Sequence, residues 1–249
     1  MDTLDLMVRL MDIMVNKNYP VVFKGAMVLT KIIEEKEYNV FRNTEDIDLD
    51  WENYNISMDE LTLMVEDAVK ELDDGLYVEV VRNFGENTSA GFDIRRRDYD
   101  YDAYLFSIDV SIRYNNYYDV YESYYGVQFR GASLEKMCVD KISSISSDRI
   151  FRRIKDIYDM YVISHLEDFS IYKLNEILEG SGRYVYDFNV FLNSYDDLEY
   201  GYNKLRGIVN KPDFEIVYPR VRDFCMPYIT DCYKTGRKAV WYCDQGVWY

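Results

Sequence analysis

Apolar residues recur at Leu4, Met7, Leu10, Met11 and Met14, the spacing of one helix face, so a helix is expected over residues 3 to 16. The run "YPVVFKGAMVLTKIIEE" reads next as a short strand over Val21 to Phe23, a turn at Lys24-Gly25 and a helix through Ile33. Ser57, with Glu60 three residues on, has the form of a capping box for a helix reaching Leu72. Three strand-like runs follow: "LYVEVVRNF", "SAGFDIRRR" and "YLFSIDVSIRY". In the last, period-two alternation sets Phe106, Ile108, Val110 and Ile112 on one face and Leu105, Ser107, Asp109, Ser111 and Arg113 on the other. Asp109 is therefore expected on the mixed, less apolar face of a buried-looking strand. From Ser133 the period changes to that of helices, in "SLEKMCVDKISSISS", "RIFRRIKDIYDMYVISHL" and "SIYKLNEIL", and helical patterns alternate with tyrosine-rich loops to about residue 235. The expected organisation is an α/β half over residues 1 to 132 and a mainly α-helical half over residues 133 to 249.

Within the first half, "NVFRNTEDIDLDW" places Asp46, Asp48 and Asp50 at alternate positions between Ile47, Leu49 and Trp51. Spacing alone decides nothing, because a chain with 28 aspartates carries about three Asp-x-Asp pairs by chance. A second run, Asp98, Asp100 and Asp102, has tyrosine spacers behind Arg95-Arg96-Arg97 and reads as a turn or solvated strand end. In the first run the spacers are apolar and strand-forming, so they face a core while the three carboxylates share the opposite face. A row of like charges is costly unless something cationic joins it.

Composition narrows the options. With 48% hydrophobic and 16% aromatic residues the chain has ample material for a core. No run approaches 18 apolar residues, and the acids within the first helix argue against a signal peptide, so a cytoplasmic protein is expected, with no membrane partner. The net charge of −16 disfavours non-specific duplex binding and confines any nucleic-acid contact to local basic patches. Candidate patches are Arg95 to Arg97; Arg149, Arg152, Arg153 and Lys155; and Lys234, Arg237 and Lys238. Cys138, Cys225, Cys232 and Cys243 lack metal-ligand spacing and read as reduced and structural. The single histidine, His165, has no serine or cysteine elbow motif to serve.

A strand, a Lys-Gly turn opening a helix, a strand with Asp-x-Asp and a later strand with a third Asp form the layout that two-metal phosphoryl transfer requires. Magnesium takes one or two carboxylates and completes its shell with phosphate oxygens and water. The segments "VVFKGAMVLTKIIEE", "RNTEDIDLDW", "FSIDVSI" and "SLEKMCVDKISSISSDRIFRRIKDIYDMYVI" occur in the order found in the AbiEii/AbiGii toxin branch of the nucleotidyltransferase superfamily, which the chain resembles over most of residues 20 to 249. "PDFEIVYPRVRDFCMPYI", Trp241 and Trp248 add to the likeness less specifically.

The resemblance implies an α/β nucleotidyltransferase fold, a mixed sheet with helices, followed by a mainly helical half. It implies that Asp46 and Asp48 bind Mg²⁺ or Mn²⁺, and that Asp109 is a third metal ligand or the base for the acceptor hydroxyl. Lys24 and Gly25 would sit against the phosphates of an NTP. Arg42 and Thr44 would orient phosphate or the aspartates, Lys141 would contact triphosphate, and Asp156 or Asp159 would assist catalysis. The expected reaction is transfer of a nucleoside monophosphate to an acceptor hydroxyl by a toxin held in check by a cognate antitoxin protein. The tRNA 3′ end is the leading acceptor, with a protein or small molecule open. Ala26 stands where many members carry Gly or Ser, which removes a hydroxyl that could touch phosphate. Two rival readings use the same residues: a binding module without turnover and a metal-dependent nuclease.

Overall fold

The computed structural model describes residues 2–38, 41–84, 88–97, 102–235 and 238–249, and the chain divides into two compact units. Unit 1 comprises Met1–Lys31 and Asn43–Ala132; unit 2 comprises Ile32–Arg42 and Ser133–Tyr249. Asp98, Asp100 and Arg237 lie outside the described residues.

Helix α1 (Thr3–Asn16) turns Met7, Leu10, Met11 and Met14 inward, as the apolar spacing requires. Strand β1 (Val21–Lys24) runs directly into α2 (Gly25–Glu35), with no intervening turn residue. Gly25 makes this possible by taking φ +70°, a left-handed conformation that reverses the chain in one step. Past β2 (Phe41–Arg42) come β3 (Asp46–Trp51) and α3 (Met58–Leu72), whose Ser57–Glu60 capping box is formed in both directions. Strands β4 (Leu76–Phe84), β5 (Ser89–Arg97) and β6 (Asp102–Ile112) follow, then the hairpin β7 (Tyr118–Glu122) and β8 (Gln128–Ala132).

Among the described residues of unit 1, seven strands form one mixed sheet in the order β4-β5-β6-β3-β1-β8-β7. β3 pairs with β6 in parallel and with β1 antiparallel, which puts the aspartate run in the interior of the sheet. Phe23, Ile47, Leu49, Phe92, Ile94, Phe106 and Ile108 are fully buried, and each contributes about 1.5–3 kcal/mol through the apolar area removed from water. Because β3 and β6 alternate strictly, burying this set forces Asp46, Asp48, Ser107 and Asp109 onto the other side.

In unit 2, α4 (Leu134–Ser146) is capped by Ser133, whose hydroxyl accepts from the Lys136 backbone N–H at 3.2 Å. The segment 149–166, expected as helix throughout, is a 3₁₀ turn over Ile150–Arg152 followed by α5 (Ile154–Leu166). The break falls at Arg153, which leaves the helical region at φ −129° and donates its side chain to Asp156. Next come β9 (Phe169–Ser170), α6 (Ile171–Gly180), α7 (Asn189–Asn193), α8 (Tyr195–Asn203), β10 (Ile208–Val209) and α9 (Phe214–Ile229). β10 pairs antiparallel with β2. β11 (Val240–Tyr242) and β12 (Val247–Trp248) complete a small sheet with β9 and bury Trp241, whose indole N–H donates to the Ser164 carbonyl at 2.8 Å. No described helix is long and apolar enough to cross a membrane.

Candidate active site

The register between β3 and β6 sets Asp48 directly opposite Asp109, with Asp46 opposite Ser107. Paired positions in a parallel ladder project to the same face, so Asp46, Asp48 and Asp109 share one side of two adjacent strands. On the other flank of β3, β1 brings Lys24 opposite Asp48, and the next residue is Gly25. A Cβ on Gly25 would stand 3.0 Å from Cγ of Asp48 and closer still to its carboxylate oxygen. The glycine therefore answers two demands, the positive φ and the close approach of β1's end to the aspartate. Thr44 Oγ1 accepts from the Asp46 N–H at 3.3 Å, a local turn that fixes the entry to β3.

Asp50, the last member of the run, is in a different environment. It is 1% exposed, and its carboxylate is filled by Lys24 Nζ, by Arg113 Nε at 2.7 Å and by Asn115 Nδ2 at 3.1 Å. The Lys24 ammonium also donates to Ser111 Oγ at 3.1 Å. Burial lowers the Lys24 pKa from the usual lysine value, an effect that Asp50 partly offsets. The cation demanded by three alternate carboxylates is thus supplied by the protein at Asp50, while Asp46 and Asp48 are only half-buried.

Asp109 faces one cation that period-two reading of β4 does not place there. Arg82 of β4 reaches over β5 to pair with the Asp109 carboxylate. A bulge at Val81 is responsible: Val80 is opposite Phe92, but Arg82 is opposite Gly91, so two residues on β4 oppose one on β5.

Unit 2 holds a second ionic cluster. Lys141 on α4 donates to Asp156 Oδ1 at 2.6 Å and Asp159 Oδ2 at 2.8 Å, both one turn apart on α5. Arg42 Nε donates to Asp159 Oδ1 at 3.0 Å, and Ser144 and Arg153 complete Asp156 at 2.6 and 3.0 Å. Asp156 and Asp159 are 1% exposed. Burial by itself would raise the Asp156 pKa, yet Lys141 and Arg153 outweigh it and hold the carboxyl well below the usual range. Burial likewise opposes the charge on Lys141, but the two aspartates raise its pKa above the ordinary lysine value. His165, at the end of α5, donates from Nδ1 to the Tyr161 carbonyl at 2.8 Å and stacks on Tyr38.

Residues 9–214 match the family model described as nucleotidyl transferase AbiEii toxin, type IV TA system. The chain belongs to the AbiEii toxin family. Among solved structures, MenT4, a nucleotidyltransferase toxin from Mycobacterium tuberculosis H37Rv, is similar over 92% of this chain and 83% of its own, with a TM-score of 0.55 and 14% identity, a likeness of fold. No curated protein matches the chain closely enough to count as a relative. The AbiEii toxin is accordingly a nucleotidyltransferase of a type IV toxin–antitoxin system, and NTP is its substrate.

In this AbiEii toxin the anticipated site residues fall into three groups. Gly25, Thr44, Asp46, Asp48 and Asp109 gather about β3 and β6; Lys24 is drawn to Asp50; Arg42, Lys141, Asp156 and Asp159 form one buried network. Among the described residues no three His, Cys, Asp or Glu side chains are gathered as a ready ligand set. The donor chemistry on β3 and β6, hard carboxylate oxygens beside one another, fits a hard divalent cation bound in the manner of magnesium, which needs one or two carboxylates together with substrate phosphates.

Proposed function

We propose that this toxin is Mg²⁺-dependent and transfers a nucleoside monophosphate from NTP to a hydroxyl, with the tRNA 3′ end as leading acceptor. The observation that carries the reading is Asp48 opposite Asp109 on parallel neighbours, with Gly25 folded against Asp48. Asp46, Asp48 and Asp109 would hold the metal, which when bound supplies positive charge to the phosphate oxygens. The acceptor oxygen forms a bond to the α-phosphorus as the bond to the bridging oxygen breaks, so pyrophosphate leaves. If Asp46 and Asp48 alone hold the metal, Asp109, on the less apolar face of β6, is instead placed to take the acceptor proton. The backbone at Gly25 opens a helix N-terminus to phosphate, where Ala26 retains its N–H but offers no hydroxyl.

Lys24 is assigned, with Arg113, to charge balance at Asp50, two residues along β3 from Asp48. Lys141 keeps its assignment to the triphosphate in this reading by exchanging one of its two carboxylate partners for phosphate, and Asp156, Asp159 and Arg42 act through it as positioning residues. The acidic chain confines RNA recognition to local contacts, so the acceptor end is a better fit than a long duplex. Control falls to a cognate antitoxin protein, and the cytoplasm, where NTP and tRNA meet, is the assigned location.

The test is incubation with labelled NTP, Mg²⁺ and total RNA. Label on tRNA supports the reading, and label on protein or a small molecule redirects the acceptor. NTP binding without transfer, or RNA shortening, would replace transfer with a binding module or a nuclease.

A further inference from the structure

Arg82, Gly91 and Asp109 form a row across three strands, because Arg82 is opposite Gly91 and Gly91 is opposite Asp109. Two costly features create that row. Without the bulge at Val81, Arg82 would share the face of Val80 and point away from the aspartates. Without glycine at 91 the guanidinium would have to leave its present position, since a Cβ there would stand 2.6 Å from Arg82 Nε and 3.1 Å from Nη2. A glycine inside a strand weakens it and marks the close approach of another group. An ordinary ion pair on this sheet needs neither device: Arg95 reaches Glu79 on the adjoining strand at 2.6 Å. Arg82 instead spans β5 to reach a carboxylate of the candidate site.

We infer that Arg82 is a positioning residue, an internal counter-cation that holds the Asp109 carboxylate before a divalent metal ion binds. This rests on the reading of Asp109 as a metal ligand. The guanidinium offsets the like-charge repulsion among Asp46, Asp48 and Asp109 in the nucleotide-free protein. It also competes with metal for the negative charge of that carboxylate, so metal binding weakens the pair. The competition lowers affinity for free Mg²⁺, and an NTP that brings its own metal offsets the loss through phosphate contacts.

The test measures Mn²⁺ affinity of the nucleotide-free full-length protein, by the electron paramagnetic resonance of free Mn²⁺, in wild type, Arg82→Gln, Gly91→Ala and Asp109→Asn. Arg82→Gln is expected to tighten Mn²⁺ binding about two- to fivefold, the change a half-exposed ion pair is worth. Gly91→Ala keeps every charge but crowds the guanidinium off its path, and should shift affinity in the same direction. In the Asp109→Asn background, Arg82→Gln should have no further effect on affinity. Circular dichroism confirms folding of each variant. A merely structural pair would lower the melting temperature and leave Mn²⁺ affinity unchanged. Unchanged or weakened binding in both Arg82→Gln and Gly91→Ala, with wild type binding Mn²⁺, overturns the inference alone. Wild type that binds no Mn²⁺, or binding indifferent to Asp109→Asn, overturns the metal reading and the inference with it.

Discussion

Two sets of aspartates, one in each unit, follow opposite electrostatic rules. On β3 and β6, Asp46, Asp48 and Asp109 are half-buried and crowded by register, with Arg82 alongside Asp109. On α5, Asp156 and Asp159 are sealed from water and meet Lys141, Arg42 and Arg153, so cations outnumber acids. The first set gains from an incoming cation, and the second is already satisfied. A motif of aspartates at fixed spacing thus carries different meanings according to what the fold packs beside it. Asp50 makes the point within a single strand: two residues beyond Asp48, it belongs by environment with the sealed class.

The sharpest way to break the contrast is Asp48→Ala. It should abolish nucleotide transfer, by a factor on the order of a thousand or more, while melting temperature stays level or rises as like-charge repulsion is relieved. Wild-type turnover in a labelled-NTP assay would remove Asp48 from the site. Asp156→Ala should do the reverse to stability, costing about 3–5 kcal/mol in urea unfolding, because Lys141 stays buried with half its compensation gone. If Asp156→Ala proves as stable as Asp48→Ala, the two sets are not different in kind.

Metal sharpens the comparison further. Mg²⁺ or Mn²⁺ at roughly 100 times its Kd should stabilise the protein by about 2.7 kcal/mol, read as a thermal shift. Asp46→Asn with Asp48→Asn should erase that shift, and Asp156→Asn should not. A shift that persists in the β3 double variant would put the ion elsewhere. Acidity should select the other set. The lowered pKa of Asp156 contributes stability above the ordinary aspartate value of 3.8 and loses it as pH falls below, so Asp156→Asn should flatten the drop in melting temperature on the acid side. The raised pKa of Lys141 contributes below the ordinary lysine value of 10.5 and is lost as pH climbs beyond it. The smallest effect belongs to Asp102→Ala, in the other aspartate run. Exposed, paired loosely with Arg97 at 3.8 Å and hydrogen-bonded by Tyr77, it should change stability by no more than about 1 kcal/mol and leave transfer intact.

What was legible in the sequence is what obeys a local period. The α1 face, the Ser57 capping box and the strands β4 and β5 follow from spacing, since each sets its own backbone preference and burial. The less apolar face of β6 with Asp109 follows from the same rule. What escaped depends on partners far along the chain. Nothing near Lys24 indicates that its ammonium goes to Asp50 and Ser111 instead of projecting from the turn. A one-residue bulge moved Arg82 to the other face of β4, and period-two reading fails at such a step. The break at Arg153 was hidden because the helical period continues across it. The two-residue strands β2, β9, β10 and β12 are too short to carry any period.

The division of the chain between Arg42 and Asn43 bears on synthesis. Residues 32–42 fold with unit 2, and their partners Asp159 and β10 lie more than a hundred residues downstream. At translation speeds of about 5–20 residues per second, β2 waits on the order of 10–30 s for its mate. Unit 1 has its last strand in hand by Ala132, but the segment between its two pieces is still without a home. A ribosome-bound nascent toxin, or a product truncated before residue 208, therefore carries the β3 carboxylates while β2 still lacks its strand partner β10.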